Sequence, residues 1–531
     1  MVRTGARVAA CMAAIALCGL LPAVAQASPT VVGPQYITVD DGTQIAVCIS
    51  YPAGAQTDTG HHYPALFEMD GYGGCGSNDD NEFLGRSDKY VVVYAQIRGT
   101  GCSGGQFDLF SQRSSLDGKY IIDNWIEQQP WSNGNVGITG HSYSGLTGFL
   151  VAGTAPKVKG VAVSGLIDDF YRSILYPGGI FNEGFPILWG ALLRPYDQFS
   201  GNSSHYQNDP QCQQNELQHQ GSDTVPVQLI APVYTQMNAT PDSWAVTHSL
   251  SNVEPNLNAP IQINQQYQDE QTGPRGGYLL WQHVPAGLPK RLVISNGQHN
   301  PNDPAGDKKT WLDCWVIDKP AGQSCPTVTG EVNGGQSVTS SVDDPSTRVL
   351  EYFDSTTANG QTRNTPYLTS DWPNPETNWT QYYLHSGALS SSSDTSGDTA
   401  QSYVSTTTDH HITGTFGYDL PVPPRGTNTG QYTFTHGPNE ARYTLSFPGS
   451  QPTAISGPIL LNLNLKSTAP DTDVFVDVLD LNTQTGEMAY LQRGLMRASF
   501  RAVNDGLSDR IQSGPLAGTI YRPYHDYLNT D

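Results

Sequence analysis

The sequence predicts an α/β protein followed by an all-β unit, and three observations carry this. Between Tyr63 and Gly165, short apolar runs alternate with helical patterns, the mark of βαβ units on a parallel sheet. The same rhythm returns near Ile261 and Arg291. Beyond about Trp372, period-two runs replace helical spacing, as in an all-β sandwich.

The first 27 residues stand apart. Arg3 and Arg7 give a positive start, and Val8 to Leu21 is apolar but too short to span a bilayer. Ala25-Gln26-Ala27 then offers a cleavage site. A secreted protein with its signal peptide removed is expected, and no later segment is apolar enough to span a membrane. Val8-Ala9-Ala10-Cys11 resembles a lipoprotein box, but no apolar stretch precedes it.

Tyr63–Met69, Tyr90–Ala95, Val136–Thr139 and Val161–Val163 read as strands, apolar enough to be covered on both faces. Asp117 to Gln129 has helical spacing, with Tyr120, Ile121, Trp125 and Ile126 on one side. Residues 167–255 break the rhythm with Tyr, Pro, Asn and Gln and some helical pieces (Phe185 to Leu193), and read as an insertion over the sheet. Ile261–Ile263 and Arg291–Ile294 are two more strands. Ala321 to Thr347 is rich in Gly, Ser, Thr and Asp and reads as linker or long loop. The plan is a signal peptide over 1–27, an α/β unit over 28–345, a linker over 346–371 and a β-sandwich over 372–531. Tyr443–Phe447 and Asp473–Leu479 are strands of the sandwich, and Ser390 to Asp398 is a polar loop within it.

Composition narrows the function. Net charge is −22, a field that repels phosphate backbones, so nucleic acid is not an expected partner. Charged residues are only 14 %, against ~25 % usually, so Ser, Thr, Asn, Gln and Gly must cover much of the surface. Six cysteines remain after the signal peptide: Cys48, Cys75, Cys102, Cys212, Cys314 and Cys325. An even count in an exported chain favours disulfides, and the absence of C-x-x-C argues against zinc. Cys314 and Cys325 are the first expected pair, Cys75 and Cys102 the next. No metal or cofactor is expected. The Asp471, Asp473, Asp477 and Asp480 series reads as a solvated strand face rather than a calcium site, and Gly99 to Gly105 lacks the spacing of a nucleotide loop.

The sharpest chemical signal is Gly140-His141-Ser142-Tyr143-Ser144-Gly145, where a strand ends and a helix begins. A nucleophile elbow needs that context: a strained turn exposes the serine, and the helix N-terminus favours developing negative charge. The Tyr143 N–H would be one oxyanion donor. The simplest such motif would place Gly at 144, where Ser144 stands. A serine nucleophile needs a base and an orienting carboxylate, here expected in the order Ser, Asp, His. Asp269 follows the strand that starts at Ile261, and His299 follows the strand that starts at Arg291. His283 also follows Asp269 but falls between strands and is the weaker candidate.

These residues carry a resemblance to the X-Pro dipeptidyl-peptidase and cocaine esterase family of serine hydrolases. The matching stretches are Arg98–Gly105, Gln129–Gly134, Gly140–Gly145, Tyr176–Gly179 and Gln268–Thr272. The family's elbow reads G-x-S-Y-x-G, which accommodates Ser144. The resemblance implies an α/β-hydrolase domain with a helical cap, then a jelly-roll domain of galactose-binding-like type. It implies a second oxyanion donor, Tyr72, from Met69-Asp70-Gly71-Tyr72-Gly73. The implied substrates are small esters, amides or X-Pro peptides. Glu270, Asp168 and Asp169 are candidates to grip a substrate ammonium. The resemblance also implies a sandwich cut short at Asp531, with poorly covered apolar surface. The rival readings are a dipeptidyl-peptidase proper rather than an esterase, and a non-catalytic carbohydrate- or surface-binding protein with a relic site. The sequence leaves room for a homo-oligomer.

Overall fold

The computed structural model describes residues 30–53, 55, 60–74, 89–182, 189, 208–219, 244–297, 299, 307–353, 365–404, 440–447, 453–486 and 488–526. The signal-peptide segment, Cys75, most of the expected cap and most of the helical piece at 185–193 lie outside them.

Twelve strands of the described chain form one sheet. They are β1 (Thr30–Thr38), β2 (Gln44–Tyr51), β3 (Tyr63–Asp70), β4 (Val91–Gln96), β5 (Ser132–His141), β6 (Gly160–Ser164), β7 (Ile261–Gln266), β8 (Lys290–Ser295), β9 (Thr327–Val332), β10 (Gln336–Ser341), β11 (Val349–Tyr352) and β12 (Tyr367–Thr369). Their order is β1-β2-β4-β3-β5-β6-β7-β8-β11-β12-β9-β10. From β4 across to β11 every pairing is parallel. The central strands are apolar in unbroken runs because both faces are covered. Phe67, Val91, Val93, Val161 and Val163 share a core with Phe149 of the helix Tyr143–Ala152. The alternate residues Leu66, Val92 and Ala162 pack on Trp311 and Leu312. The chain runs from β3 to β4 on one side and then to β5 on the other, so a crevice opens at the carboxyl ends of β3 and β5.

Two expectations need correction. Residues 321–347 are not simply linker: β9 and β10 form an antiparallel hairpin there. Residues 346–371 are not a linker either, since β11 pairs in parallel with β8 and carries β12 beside it. All four residues of β11 are buried. These strands run three to six residues, and the β9–β10 hairpin carries Thr and Ser along its open face, so the pattern mimics a polar loop.

The C-terminal part is built of strands: β13 (Tyr383–Leu384), β14 (Leu389–Ser390), β15 (Asp473–Leu481), β16 (Met488–Arg497), β17 (Asp509–Arg510) and β18 (Ile520–Arg522). The molecule is thus an α/β-hydrolase domain followed by a β domain. β15 and β16 place Asp473 opposite Arg497 and Asp477 opposite Arg493. Both pairs form ion pairs, at 2.7 and 2.6 Å, so two members of the aspartate series serve cross-strand pairing rather than an open solvated face. Among the described residues, the run 443–447 contributes a bridge from Thr444 to Ala388 rather than a full strand. Ile455, Ile459, Leu460, Leu461, Leu463 and Leu465 stand exposed in a stretch without strand structure.

Cys314 pairs with Cys325 as expected. Cys102 pairs with Cys212, not with Cys75, because the helix Pro210–Glu216 packs over the glycine-rich loop. Asn215 Nδ2 donates there to the Cys102 carbonyl at 2.9 Å.

Candidate active site

β5 ends at His141, and the helix Tyr143–Ala152 starts one residue after Ser142. Ser142 therefore sits in a turn with φ 57° and ψ −122°. Ser142 and Phe110 alone among the described non-glycine residues have positive φ, a conformation that costs roughly 1–3 kcal/mol and persists only where surroundings impose it. The Ser142 N–H donates to the Ser164 carbonyl at 3.0 Å, and its own carbonyl accepts from Leu146 N at 2.8 Å. Two glycines permit the close approach. A Cβ at Gly140 would meet the Ser144 backbone at 2.5 Å, and one at Gly145 would meet the Ser164 carbonyl at 2.5 Å. Ser144 fits because its hydroxyl has work inside the protein: it donates to Glu68 Oε1 at 2.7 Å and accepts from His141 N at 3.0 Å.

The structure brings Ser142, His299 and Asp269 together. His299 Nε2 lies 2.8 Å from Ser142 Oγ. His299 Nδ1 lies 3.1 and 3.0 Å from the two Asp269 oxygens. Asp269 is buried, and its carboxylate also accepts from Gln271 N, Thr272 N and Thr272 Oγ1 at 3.0, 2.8 and 2.7 Å. Burial pushes this carboxyl up, but the His299 charge and hydrogen bond and the bonds from Thr272 outweigh it, leaving Asp269 below the usual carboxylate value. His283 ends the helix Arg275–His283 and lies 3.9 Å from Glu254, apart from these groups.

Tyr72 follows β3 in a turn closed by its own N–H on Asp70 Oδ1 at 2.8 Å. Its ring stands edge-on to Tyr143, with centroids 5.3 Å apart. The Tyr143 N–H belongs to the first turn of its helix, where N–H groups have no acceptor within the helix. The Tyr72 hydroxyl accepts from Trp189 Nε1 at 3.3 Å. Phe110 stacks on Phe170 and stands edge-on to Tyr143, at 4.8 and 5.1 Å. A cluster of aromatic rings thus adjoins Tyr72 and Tyr143.

The three acidic candidates are engaged inside the protein. Asp168 accepts from Ser173 Oγ and pairs with Arg275 at 3.3 Å. Asp169 caps the turn that follows by accepting from Arg172 N, and pairs with the Arg172 side chain, both at 2.9 Å. Glu270 Oε2 accepts the backbone N–H of His299 at 2.8 Å. Burial pushes the Glu270 carboxyl up, against that bond. Asp168 and Asp169 are thus engaged in local hydrogen bonding and arginine pairing.

Sequence reasoning missed four neighbours of the site. Glu68 carried a readable signal, since a lone acid within an apolar strand must find a buried partner. His141 stacks on His299 with centroids 4.6 Å apart and bonds Ser164 Oγ at 2.9 Å. Burial first, then the His299 and Lys308 charges, holds it well below the usual imidazole value. Phe110 and Trp189 gave no pattern to read. Among the described residues, one group has metal-ligand spacing, Cys314, Cys325 and Asp343, but its sulfurs are joined in the disulfide. No described helix is long and apolar enough to cross a membrane.

Comparison with known proteins bears on the family and the fold. Residues 41–301 match the profile of X-Pro dipeptidyl-peptidase (S15 family), and residues 344–513 match that of the X-Pro dipeptidyl-peptidase C-terminal non-catalytic domain. A Mycobacterium tuberculosis relative named as a putative serine esterase is 29 % identical over 186 residues, which is 31 % of this chain and 29 % of that protein. The cocaine esterase of a Rhodococcus species is 25 % identical over 83 % of this chain and 78 % of its own. Among solved structures, a CocE/NonD family hydrolase from Staphylococcus aureus is similar with a TM-score of 0.61 at 16 % identity, covering 94 % of this chain and 79 % of that one. An α-amino acid ester hydrolase gives 0.58 at 15 %, covering 98 % and 88 %. Those two likenesses speak for the fold. The paired profiles and the cocaine esterase speak for descent, and the chain belongs to the X-Pro dipeptidyl-peptidase and cocaine esterase family of serine hydrolases.

Proposed function

We propose that this enzyme is a secreted esterase that works through an acyl-enzyme on Ser142. The observation that carries the reading is the continuous relay from Ser142 Oγ through His299 to Asp269. Ser142 Oγ attacks the ester carbonyl while His299 Nε2 takes its proton. Asp269 fixes the imidazole tautomer and stabilises the imidazolium. Tyr72 and the Tyr143 N–H donate to the oxyanion. The tetrahedral intermediate collapses, the carbon–oxygen bond to the leaving group breaks, and His299 returns the proton to the departing alkoxide. Water, deprotonated by His299, then releases the acid and restores Ser142.

Esters are favoured over X-Pro peptides because Asp168 and Asp169 are already paired with arginines, which leaves Glu270 alone of the three acidic candidates to hold an ammonium. Anchoring a free ammonium needs a fixed carboxylate, since an unpaired buried ammonium is costly. Among Glu270, Asp168 and Asp169, each has an internal partner. The aromatic cluster beside Tyr72 suits an apolar substrate group. Secretion is inferred from the leader, and amino-terminal sequencing of the exported protein should begin at Ser28. The test of function is turnover of p-nitrophenyl acetate by the wild type and by Ser142→Ala. Loss of several orders of magnitude in the variant is expected; comparable rates would overturn the reading.

A further inference from the structure

We propose that Gln268 is a positioning residue of this site and that the C-terminal domain holds it in place. The inference rests on reading Ser142, His299 and Asp269 as catalytic. Asp269 and His299 lie on separate loops after β7 and β8, thirty residues apart. Their relay needs the two loops to keep a fixed spacing. Gln268, 3 % exposed and adjacent to Asp269, sets that spacing. Its backbone N–H donates to the Gly297 carbonyl at 3.2 Å, and its Oε1 accepts the Gly297 N–H at 2.8 Å. Two bonds of opposite sense thus clasp the residue two before His299.

The other end of the amide reaches further. Gln268 Nε2 donates to Asn296 Oδ1 at 3.1 Å and to the Leu491 carbonyl at 2.9 Å. Leu491 lies on β16, so one arm of the clasp comes from the C-terminal domain. The orientation of the amide is dictated by its backbone partners: turning it would set oxygen against the Leu491 carbonyl and NH2 against the Gly297 N–H. The preceding residue is held in the same way. Gln492 Nε2 donates to the Tyr267 carbonyl at 2.7 Å, and the Tyr267 hydroxyl donates to the buried Glu351. Ser456 Oγ bonds the same Glu351 from the C-terminal side, at 2.7 Å. The segment carrying the catalytic acid is therefore gripped by β16 on one side and by the histidine loop on the other. Displacement of a reacting group by about 1 Å can cost roughly 10²-fold in rate.

Gln268→Met in the full-length chain keeps the side-chain length and removes its hydrogen bonds. Gln492→Met removes the neighbouring arm from β16, together with the bond that its Oε1 accepts from Arg493 N. For both variants, kcat and KM on p-nitrophenyl acetate, the rate at which a fluorophosphonate labels Ser142, and the thermal melt are measured. Gln268→Met should lower kcat by roughly 10–100-fold with KM within about twofold, and slow labelling by the same factor, in protein that still melts cooperatively. Gln492→Met should move kcat and labelling in the same direction by a smaller factor. Wild-type kcat and labelling in Gln268→Met, with only a lower melting temperature, would overturn the proposal, because Gln268 would then merely hold domains together. If Gln268→Met does not fold, Gln492→Met decides: unchanged kcat and labelling overturn the role of the C-terminal arm. A wild-type chain not labelled at Ser142 overturns the catalytic reading itself, whereas normal labelling of Gln268→Met beside labelled wild type overturns the positioning role alone.

Discussion

Ser142 is held where an ordinary residue would relax, and the means are small groups packed without spare room: Gly140, Gly145 and the Ser144 hydroxyl on Glu68. Tyr72 should be the strongest side-chain donor to the oxyanion, because its phenol gives one directed hydrogen bond in a half-buried site. Tyr72→Phe should lower kcat by roughly 10²–10³-fold, as loss of one oxyanion donor does, with little change in melting temperature. A kcat near wild type would return Tyr72 to packing. At this scale the relay residues were legible, because strand ends and chain order place Ser142, Asp269 and His299. The direction of a carboxylate was not. Nothing in the spacing of Asp168 and Asp169 tells that Arg275 and Arg172 take up their charge.

Single turns and loops carry the next level of stability. Glu254, in the turn Glu254–Asn256, is buried, and burial with the nearby Asp168 charge pushes its carboxyl up to about 8. Between the ordinary carboxylate value and about pH 8, the folded state keeps a proton that the unfolded chain gives up, so stability falls as pH rises across that window. Glu254→Gln removes the titration. The variant should match the wild type near pH 4 and exceed it at pH 8 by roughly 1 kcal/mol or more. Parallel melting temperatures from pH 4 to 8 would show that Glu254 does not titrate there. The Cys102–Cys212 bridge spans 110 positions and docks the helix Pro210–Glu216 on the glycine-rich loop. Replacing both cysteines by alanine should cost about 2–4 kcal/mol in urea unfolding; an unchanged midpoint would deny the bridge a stabilising role. The central strands were legible because burial on both faces makes their runs apolar. β9 to β12 were not legible as strands, since three- to six-residue strands with Thr and Ser outward give no clear period. The Cys102–Cys212 pairing was out of reach because a separation of 110 leaves no local trace.

Among the described residues, a strand of the β domain, β16, lies against the loop that carries Asp269. The order of the two domains was legible from the change of periodicity near Trp372. The contact between them was not, because part of it runs through the Gln268 and Gln492 amides and the Leu491 and Tyr267 carbonyls. Substrate preference belongs to this scale. Short-chain aryl esters should be turned over readily, and an Ala-Pro anilide at least about tenfold less efficiently in kcat/KM, since two of the three candidate carboxylates for its ammonium are already paired with arginines. Equal efficiency, abolished when the anilide's amino group is blocked, would instead place an ammonium anchor in the site. All of this depends on one serine. The most direct test treats the full chain with a fluorophosphonate and maps the adduct by peptide mass spectrometry. A single stoichiometric adduct on Ser142, formed in parallel with loss of esterase activity, is the predicted result; an active enzyme with Ser142 unmodified, or modified without loss of activity, would contradict it.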